Sequence, residues 1–400
     1  MLSRPFLIIA LSIFTATMGL GMVLPLLPVY AKSFGASGAT IGLTMSAFAI
    51  PQLVVSPFAG KLADRFGRKP FLLLGAFAYF ASAVGWWAAD TLAVVILFRA
   101  LSGIGSALIF SNAQAYVGDL APAGSEGRYM GAFGVADFMG FGVGPLLAGV
   151  IRDRAGIETV FLAMAALYAV VFALILVVLP ARPPRAQGGI ARLTAPWGTI
   201  ARHPTMQALL FFRICFALAT GVSMAFLAVH LEERVGATAT MVGFVFATQQ
   251  IAGGISQPLL GRLADRFSRR WLVFAGASMM AAGFSTVAWS DSFPVILAGM
   301  VLGPGLAASL ANVSAQAAQI DTGRDLGMAT VASLGSAAFA FGFLIGAIGG
   351  GRLVDLASVQ ASFLVGAAVM VLGGTVFLLR APHRGAAMMV EPTAEQVAAG

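Results

Sequence analysis

The ten residues Gly60-Lys-Leu-Ala-Asp-Arg-Phe-Gly-Arg-Lys69 return later in the chain as Gly261-Arg-Leu-Ala-Asp-Arg-Phe-Ser-Arg-Arg270. Each copy follows a long apolar run. The only two asparagines in the sequence, Asn112 and Asn312, also occupy corresponding positions, each after one copy. Self-similarity on this scale indicates that the chain consists of two homologous halves.

The composition around the repeat places the chain in a lipid bilayer. Its 400 residues are 59% hydrophobic and only 10% charged, with a mean hydropathy of +0.92, whereas about a quarter of the residues in soluble domains are charged. A spanning helix takes about 20 apolar residues. The apolar runs predict twelve such helices, at about 5–30, 38–59, 70–89, 91–117, 128–151, 157–180, 205–230, 238–260, 271–289, 292–318, 326–350 and 356–379.

The predicted fold is an all-α integral membrane protein with twelve transmembrane helices in two pseudo-symmetric six-helix bundles. The one long polar interior stretch, rich in Pro, Gly and Arg, separates the bundles. The expected divisions are an N-terminal bundle at 1–180, a cytoplasmic linker at 181–204, a C-terminal bundle at 205–382 and a disordered cytoplasmic tail at 383–400. Paired halves are the build of many secondary transporters, which bind substrate between the halves near mid-membrane.

The positive charge follows the predicted topology. When both termini lie in the cytoplasm, 17 of the 24 Lys and Arg residues fall in cytoplasmic segments, five fall outside, and Arg99 and Arg213 fall within spans. Positively charged loops are retained on the cytoplasmic side of a membrane. The topology therefore explains the net charge of +8, and we expect no nucleic-acid partner.

The repeated ten-residue motif resembles the loop between helices 2 and 3, and again between helices 8 and 9, of the major facilitator superfamily. The resemblance covers the chain up to about residue 382 and implies a transporter in which this loop helps to latch the halves during alternating access. A positive-inside topology signal alone is the alternative, but it explains the Arg and Lys residues and not the Gly-Leu-Ala-Asp spacing. The gating residues that the resemblance implies are Gly60, Asp64, Arg65, Gly67, Arg68, Gly261, Asp265, Arg266 and Arg269.

A second motif resembles the pattern that this family associates with drug:proton antiporters. Small residues let helices approach closely and a proline bends the span, although ordinary helix packing explains the same residues. Several efflux members carry an acid near the position of Ala16, where this chain has only threonines nearby, so no carboxylate of the first helix can supply coupling. The motif residues on the predicted fifth helix are Gly131, Gly140, Gly144, Pro145 and Gly149, with Ala148 in place of one glycine.

Three charged residues fall deep inside the predicted spans, where each is a functional hypothesis because a charge there is costly. Asp137, within the antiporter motif, is the only acidic one at such depth, and a carboxyl there can serve as a proton-coupling site. Arg99, which resembles part of a third family motif linked to proton transfer, and Arg213 are its candidate partners. Three interpretations stay open: a static ion pair, a protonation switch that exchanges partners, and direct binding of a cationic substrate by Asp137.

Polar side chains indicate which helices surround the substrate. Asn and Gln are absent from helices 3, 6 and 9 and occur in helix 12 only near its outer end, so these four helices are expected at the periphery. Methionine and aromatic side chains suit ligands of varied shape. The expected substrate-binding residues are Asn112, Asn312, Gln249, Gln316, Met22, Phe133 and Phe226.

These features predict a proton-coupled exporter of hydrophobic or cationic small molecules in the bacterial inner membrane. A dedicated exporter of a metabolite, sugar, siderophore or lipid is the alternative, and a receptor that binds without transport is the third hypothesis. The expected partners are the substrate, protons and membrane lipid, and we expect a monomer. Gly-rich phosphate loops are absent and the histidines are scattered, so we expect no cofactor, no metal site and no enzymatic activity.

Overall fold

The computed structural model describes residues 4–120, 126–179, 202–326 and 328–381, and these residues are helical apart from short connections. Most of the predicted linker at 181–204, and all of the predicted tail at 383–400, lie outside the described residues. The proposed boundaries of the two halves therefore stay predictions.

The first half contains six helices within the described residues. The stretch Glu126–Val178 is broken at Gly156, whose φ of 83° and ψ of 166° are accessible to glycine but not readily to residues with a side chain. This break divides the stretch into two arms, α5 and α6. The preceding helices are α1 at Arg4–Ser33, α2 at Gly38–Phe66, α3 at Arg68–Trp87 and α4 at Leu92–Leu120.

The second half repeats this order. Its regular helices are α7 at Pro204–Glu233, α8 at Ala239–Arg266, α9 at Arg269–Trp289, α11 at Met328–Leu356 and α12 at Val359–Arg380. Between them, α10 consists of an α-helical segment at Phe293–Met300, a π-helical segment at Val301–Ala307 and an α-helical segment at Ala308–Leu326. Pro304 lies in the π-helical segment. Because proline has no N–H to donate, it interrupts the regular ladder of the helix at this point.

Ten helices in the described residues are long and apolar enough to cross a membrane, and one of them, Gly131–Val178, contains parts of both α5 and α6. The remaining helix, α8, carries Gln249, Gln250 and Gln257, which lower its hydropathy. It packs along α5, where polar side chains need not face lipid. The predicted all-α, twelve-helix fold is confirmed.

The repeated motif is more helical than its resemblance to a loop implies. α2 continues through the first copy to Phe66, and only Gly67, with φ 89°, separates it from α3. α8 likewise continues through the second copy to Arg266. The positive φ of Gly67 allows a reversal of the chain in a single residue, so the connection needs no longer loop.

Each half is built on one close helix pair. α1 packs along α5, where Gly140 and Gly144 face α1, and α7 packs along α11, where Gly342 and Gly346 face α7. The halves meet where α2 packs on α11 and where α5 packs on α8. α3, α9 and α12 pack against helices of their own half and expose apolar side chains such as Phe77, which agrees with their predicted place at the periphery.

Among the described residues, the closest backbone contacts between the halves lie toward one end of the bundle. We call the end that holds Gly67 and Ser268 the motif end, and the end that holds Gly35 and Gly236 the opposite end. At the opposite end the two halves touch through backbone, with Gly351 against Gly38 and Gly149 against Ala239. Toward the motif end the same four helices expose large apolar side chains, with exposed fractions of 61% for Phe58, 63% for Val135, 72% for Ile255 and 55% for Phe341. The described part of the bundle is therefore closed at the opposite end and open at the motif end.

Candidate functional site

Asp137 lies on α5 beside α1. Its backbone carbonyl accepts a hydrogen bond of 3.2 Å from Thr17 Oγ1, and Gly140 contacts the same threonine. The carboxyl oxygen Oδ1 is buried and has no hydrogen-bond partner among the described residues. Close packing of α1 on α5 thus holds the backbone of Asp137 in place and leaves a carboxyl oxygen free to bind a proton or a cationic group.

Arg99 lies on α4 in an aromatic enclosure within the first half. Its side chain is 2% exposed, and its guanidinium carbon lies 4.6 Å from the centre of the Phe48 ring. Tyr79 and Tyr168 stack with ring centres 4.9 Å apart and interact electrostatically with the guanidinium. Nε and Nη1 have no hydrogen-bond partner within the described part of the chain. The aromatic faces stabilise the cation while two of its nitrogens keep free donors.

Arg213 lies on α7 and binds two amides of α10. Its Nη1 donates to Asn312 Oδ1 at 2.9 Å and its Nη2 donates to Gln319 Oε1 at 3.0 Å. Gln319 Nε2 in turn lies 3.4 Å from the carbonyl oxygen of Val331 on α11. Hydrogen bonds from a charged donor are stronger than those between neutral groups, so this network connects three helices of the second half.

The structure places the three charges in separate surroundings. Each arginine has partners in its own half, and no ion pair joins Asp137 to Arg99 or Arg213 among the described residues. The static pair therefore does not form in this open state. Arg99 keeps unoccupied donors and Asp137 an unoccupied oxygen among the described residues, so the protonation switch and direct cation binding both stay predictions.

The seven predicted substrate-binding residues differ in accessibility. Gln316 is exposed and Asn312 is partly buried, on the face of α10 that also carries Gln319. Asn112 donates back to the Leu108 carbonyl of its own helix at 2.8 Å. Five are buried in helix packing: Asn112, Gln249, Met22, Phe133 and Phe226. The structure thus brings Asn312 and Gln316 to one polar face and keeps the other five inside the bundle in this state.

The antiporter motif packs on two different helices. Gly140 and Gly144 lie against α1, whereas Gly149 lies against the backbone of Ala239 at the start of α8, and Pro145 contacts both Gly21 and Gly243. A Cβ added at Gly131 would have no neighbour within 4 Å among the described residues. The motif therefore connects the α1–α5 pair of the first half to α8 of the second half. Gly131 is the one motif residue that does not take part in this packing among the described residues.

The gating motif has contacts within each half. Arg269 on α9 donates to the carbonyl oxygen of Ala317 on α10 at 2.9 Å and forms an ion pair with Asp321. Arg65 lies over the Phe66 ring at 5.4 Å. The side chains of Asp64 and Asp265 lie outside the part of the chain that the structure describes. Gating by Gly60, Asp64, Arg65, Gly67, Arg68, Gly261, Asp265, Arg266 and Arg269 stays a prediction.

The two asparagines offer a matched test of the Arg213 network. Asn312→Leu is expected to destabilise the protein by about 1.5–3 kcal/mol, because a charged donor loses its acceptor. Asn112→Leu removes only a bond to the backbone of the same helix and is expected to cost less, about 1 kcal/mol or below. Thermal unfolding of both variants in detergent is the measurement. Equal losses would show that the bond to Arg213 contributes nothing to stability.

Sequence reasoning missed several residues that the structure joins to the site. Tyr79, Tyr168 and Phe48 surround Arg99, and Gln319 shares Arg213 with Asn312. An available signal was the spacing of Asn312, Gln316 and Gln319, which places all three amides on one face of a helix.

The fold and the paired motifs agree with a single known family. The family model described as Major Facilitator Superfamily matches residues 9–231 and again residues 209–388. The chain belongs to the Major Facilitator Superfamily. It is therefore a multi-pass membrane transporter that acts on small-molecule substrates as a single chain, rather than an enzyme.

Several named members of the Major Facilitator Superfamily are similar in sequence. Multidrug resistance protein 2 of Bacillus subtilis is 29% identical over 388 residues, which cover 92% of this chain and 93% of the relative. The quinolone resistance protein NorA of Staphylococcus aureus is 28% identical over 152 residues, covering 38% of this chain and 39% of NorA.

Solved structures of transporters superpose on most of the chain. A bacterial homologue of the human lysosomal transporter Spinster, in an inward-facing and occupied conformation, gives a TM-score of 0.78 at 15% identity and covers 94% of this chain and 97% of its own. A variant of the nucleoside transporter NupG gives 0.79 at 16% identity, covering 95% and 100%. At these identities the similarity shows the fold alone.

Proposed function

We propose that the protein is a proton-coupled antiporter that exports hydrophobic or cationic small molecules by alternating access. The observation that carries the proposal is Asp137, whose buried Oδ1 has no hydrogen-bond partner among the described residues. Similarity to multidrug resistance protein 2 along nearly the whole chain, and to NorA over part of it, supports the multidrug type.

Proton and substrate share Asp137 in this proposal. In the state that is open at the motif end, the carboxylate releases its proton and binds the cationic or polar part of a substrate. After the bundle reopens at the opposite end, a proton displaces the substrate. Because one carboxyl cannot hold both at once, each cycle exchanges one for the other. For a neutral substrate a membrane potential of 100 mV contributes about 2.3 kcal/mol per proton, whereas exchange of one proton for a monovalent cation moves no net charge and is driven by the pH gradient.

The arginines have separate tasks in the cycle. Arg99 lies in the same half as Asp137 and keeps two free donors, so it is the group toward which the Asp137 carboxylate turns when it is not occupied by substrate. Arg213 holds Asn312 and Gln319 in place, and with the exposed Gln316 they form the polar face of the second half. Substrate meets this face across from Asp137.

The motif end is the cytoplasmic end in this proposal. Arg65 and Arg266 lie at the last turns of α2 and α8, and Arg269 begins α9, so the repeated basic motif marks this end. Basic segments are retained in the cytoplasm. Both termini then lie inside, the structure is open to the cytoplasm, and the bacterial inner membrane is the expected location.

The test is proton flux from proteoliposomes with an imposed pH gradient. Several chemically unrelated lipophilic cations are expected to release protons, and neutral metabolites are expected to release fewer. Protein-free liposomes correct for passive cation entry. Silence to every cation, with proton release on a single metabolite class, would replace the multidrug proposal with that of a dedicated exporter. Binding of ligand without any flux would support a receptor instead.

A further inference from the structure

Two carboxylates at the opposite end each bind the start of a helix in the other half. Asp355, at the end of α11, accepts hydrogen bonds from the backbone N–H groups of Gly38 at 2.6 Å and Ala39 at 2.9 Å. Asp153, at the end of α5, accepts from Ala239 at 3.1 Å and Thr240 at 2.8 Å. One carboxylate therefore reaches from the second half to α2, and the other reaches from the first half to α8.

Together with each helix's own cap, these carboxylates satisfy most of the free donors at the helix starts. The first N–H groups of a helix have no partner within it. In α2 the capping Ser37 side chain accepts from Thr40, and in α8 the Thr238 side chain accepts from Met241. The two preceding N–H groups in each helix are the ones that bind the aspartate of the other half. A negative charge is also favourable at this positive end of the helix dipole.

Both contacts are built in the same way. Gly351 on α11 touches the backbone of Gly38, and Gly149 on α5 touches the backbone of Ala239, each so closely that a Cβ would collide. In both helices the aspartate follows its glycine by about one turn, so the two lie on the same face. The glycine brings the backbones together and the aspartate binds the exposed N–H groups. The unit occurs once in each half, at corresponding positions of the repeat.

We propose that Asp153 and Asp355 are two equivalent latches that hold the opposite end closed, so that their release sets the balance between the two open states of the transporter. The inference rests on alternating access in the proposed function and goes beyond it by naming the residues that control the end away from the signature motif. Two further ion pairs join the halves at this end, Arg152 with Glu232 and Lys32 with Glu233.

The chemistry of the latches suits a contact that must break in every cycle. Both aspartates lie at the surface of the bundle, so water can hydrate the carboxylate and the N–H groups when the halves separate. The free energy of releasing a latch is therefore the difference between its hydrogen bonds to the helix N–H groups and the hydrogen bonds that both partners form with water. No buried charge pair has to be broken at the latch. The capping Ser37 and Thr238 stay with their own helices and keep the helix starts ordered in the open state.

The test measures distances between the halves and needs no transport. Spin labels are placed at the exposed positions Ala88 and Trp289 at the opposite end, and at Phe66 and Phe267 at the motif end, in a Cys215→Ser background. Pulsed electron resonance in nanodiscs then gives both distance distributions. Asp153→Ala and Asp355→Ala are each expected to shift the ratio of closed to open opposite end about tenfold toward open, since each removes hydrogen bonds to a charged acceptor. The double variant is expected to shift it about a hundredfold.

A third carboxyl at the same end provides the matched control. Asp291 binds Arg234 within the second half, and the hydrogen bond from this guanidinium holds the pKa of Asp291 below its usual value. Asp291→Ala is expected to leave both distributions unchanged. Asp153→Asn and Asp355→Asn, which preserve side-chain volume, are expected to shift the ratio in the same direction as the alanine variants.

The outcomes separate the latch from the coupling mechanism. Unchanged distances in both alanine variants, or an equal shift in Asp291→Ala, would overturn the latch. A shift in the latch variants combined with wild-type coupling in Asp137→Asn would keep the latch and overturn the proton-coupling proposal. A change at the opposite end without a reciprocal change at the motif end would show local fraying and would also reject the latch.

Discussion

The Asp137→Asn variant is expected to lose uphill export in proteoliposomes that carry an imposed proton gradient. The amide preserves the size of the side chain, but it cannot exchange a proton near neutral pH. For a neutral substrate exchanged for one proton, 100 mV contributes about 2.3 kcal/mol, which sustains roughly a 50-fold concentration ratio. That ratio is expected to fall to about one in the variant, as measured by substrate fluorescence and a pH-sensitive dye in the same vesicles.

Two variants control for the loss of charge alone. Asp137→Glu retains a carboxyl on a longer side chain and is expected to keep part of the coupling. Asp291→Asn removes an exposed carboxyl that binds Arg234 and is expected to transport like wild type. Undiminished coupled transport in Asp137→Asn would show that the proton is carried elsewhere, and the central proposal would then be abandoned.

The Gly144→Val variant is expected to be clearly destabilised and to give a lower yield of folded protein. A Cβ at Gly144 would collide with the carbonyl oxygen of Met18 and would lie 2.9 Å from the backbone nitrogen of Met22. Because these are backbone atoms of α1, no change of side-chain rotamer relieves the clash. Overpacking in a rigid core costs about 1–3 kcal/mol, and we expect the upper end of that range. The measurement is the yield of monodisperse protein and its thermal unfolding temperature.

The same motif supplies the control for this second variant. Gly131 precedes Gly144 on α5, and a Cβ there would meet no atom of the described residues within 4 Å. Gly131→Val carries the same helix-propensity cost as Gly144→Val, so any difference between the two reports on the packing against α1. Gly131→Val is expected to unfold within a few degrees of wild type. Equal stability of the two variants would contradict the close α1–α5 contact.

The helices were predictable because their signals are local. Hydropathy identifies a span from about 20 neighbouring residues, and the repeated motif at Gly60 and Gly261 reports two halves without reference to any contact. The break at Gly156 was also predictable, because Arg152, Asp153 and Arg154 interrupt the apolar sequence and separate the predicted helices at 128–151 and 157–180. The irregularity within α10 was not predicted. The π-helical segment around Pro304 changes the hydrogen-bond register of the helix without altering its hydropathy, so a pattern based on apolar runs does not detect it.

The charges of the site were predictable, but their partners were not. Asp137, Arg99 and Arg213 stand out because ionisable residues are costly inside a membrane. Their expected pairing rested on depth along each helix, which says nothing about rotation around the helix axis. The structure turns Arg213 toward Asn312 and Gln319, and Arg99 toward Phe48. Packing with neighbouring helices decides the rotation of each helix about its axis, and the position of a residue in the sequence does not reveal that rotation.

The latches show the same difference between what the sequence reveals and what the structure decides. Asp153 and Asp355 are separated by about as many residues as the two copies of the repeated motif, so the sequence alone shows that they occupy corresponding positions. That both carboxylates bind helix starts in the other half follows only from the way α5 meets α8 and α11 meets α2.

Residue type and order determine the number of spans, the internal repeat and the identity of the buried charges, because the cost of placing a group in lipid depends on that group alone. Which end is closed, and which groups meet there, depends on contacts between residues far apart in the chain, which exist only once the two halves have packed together.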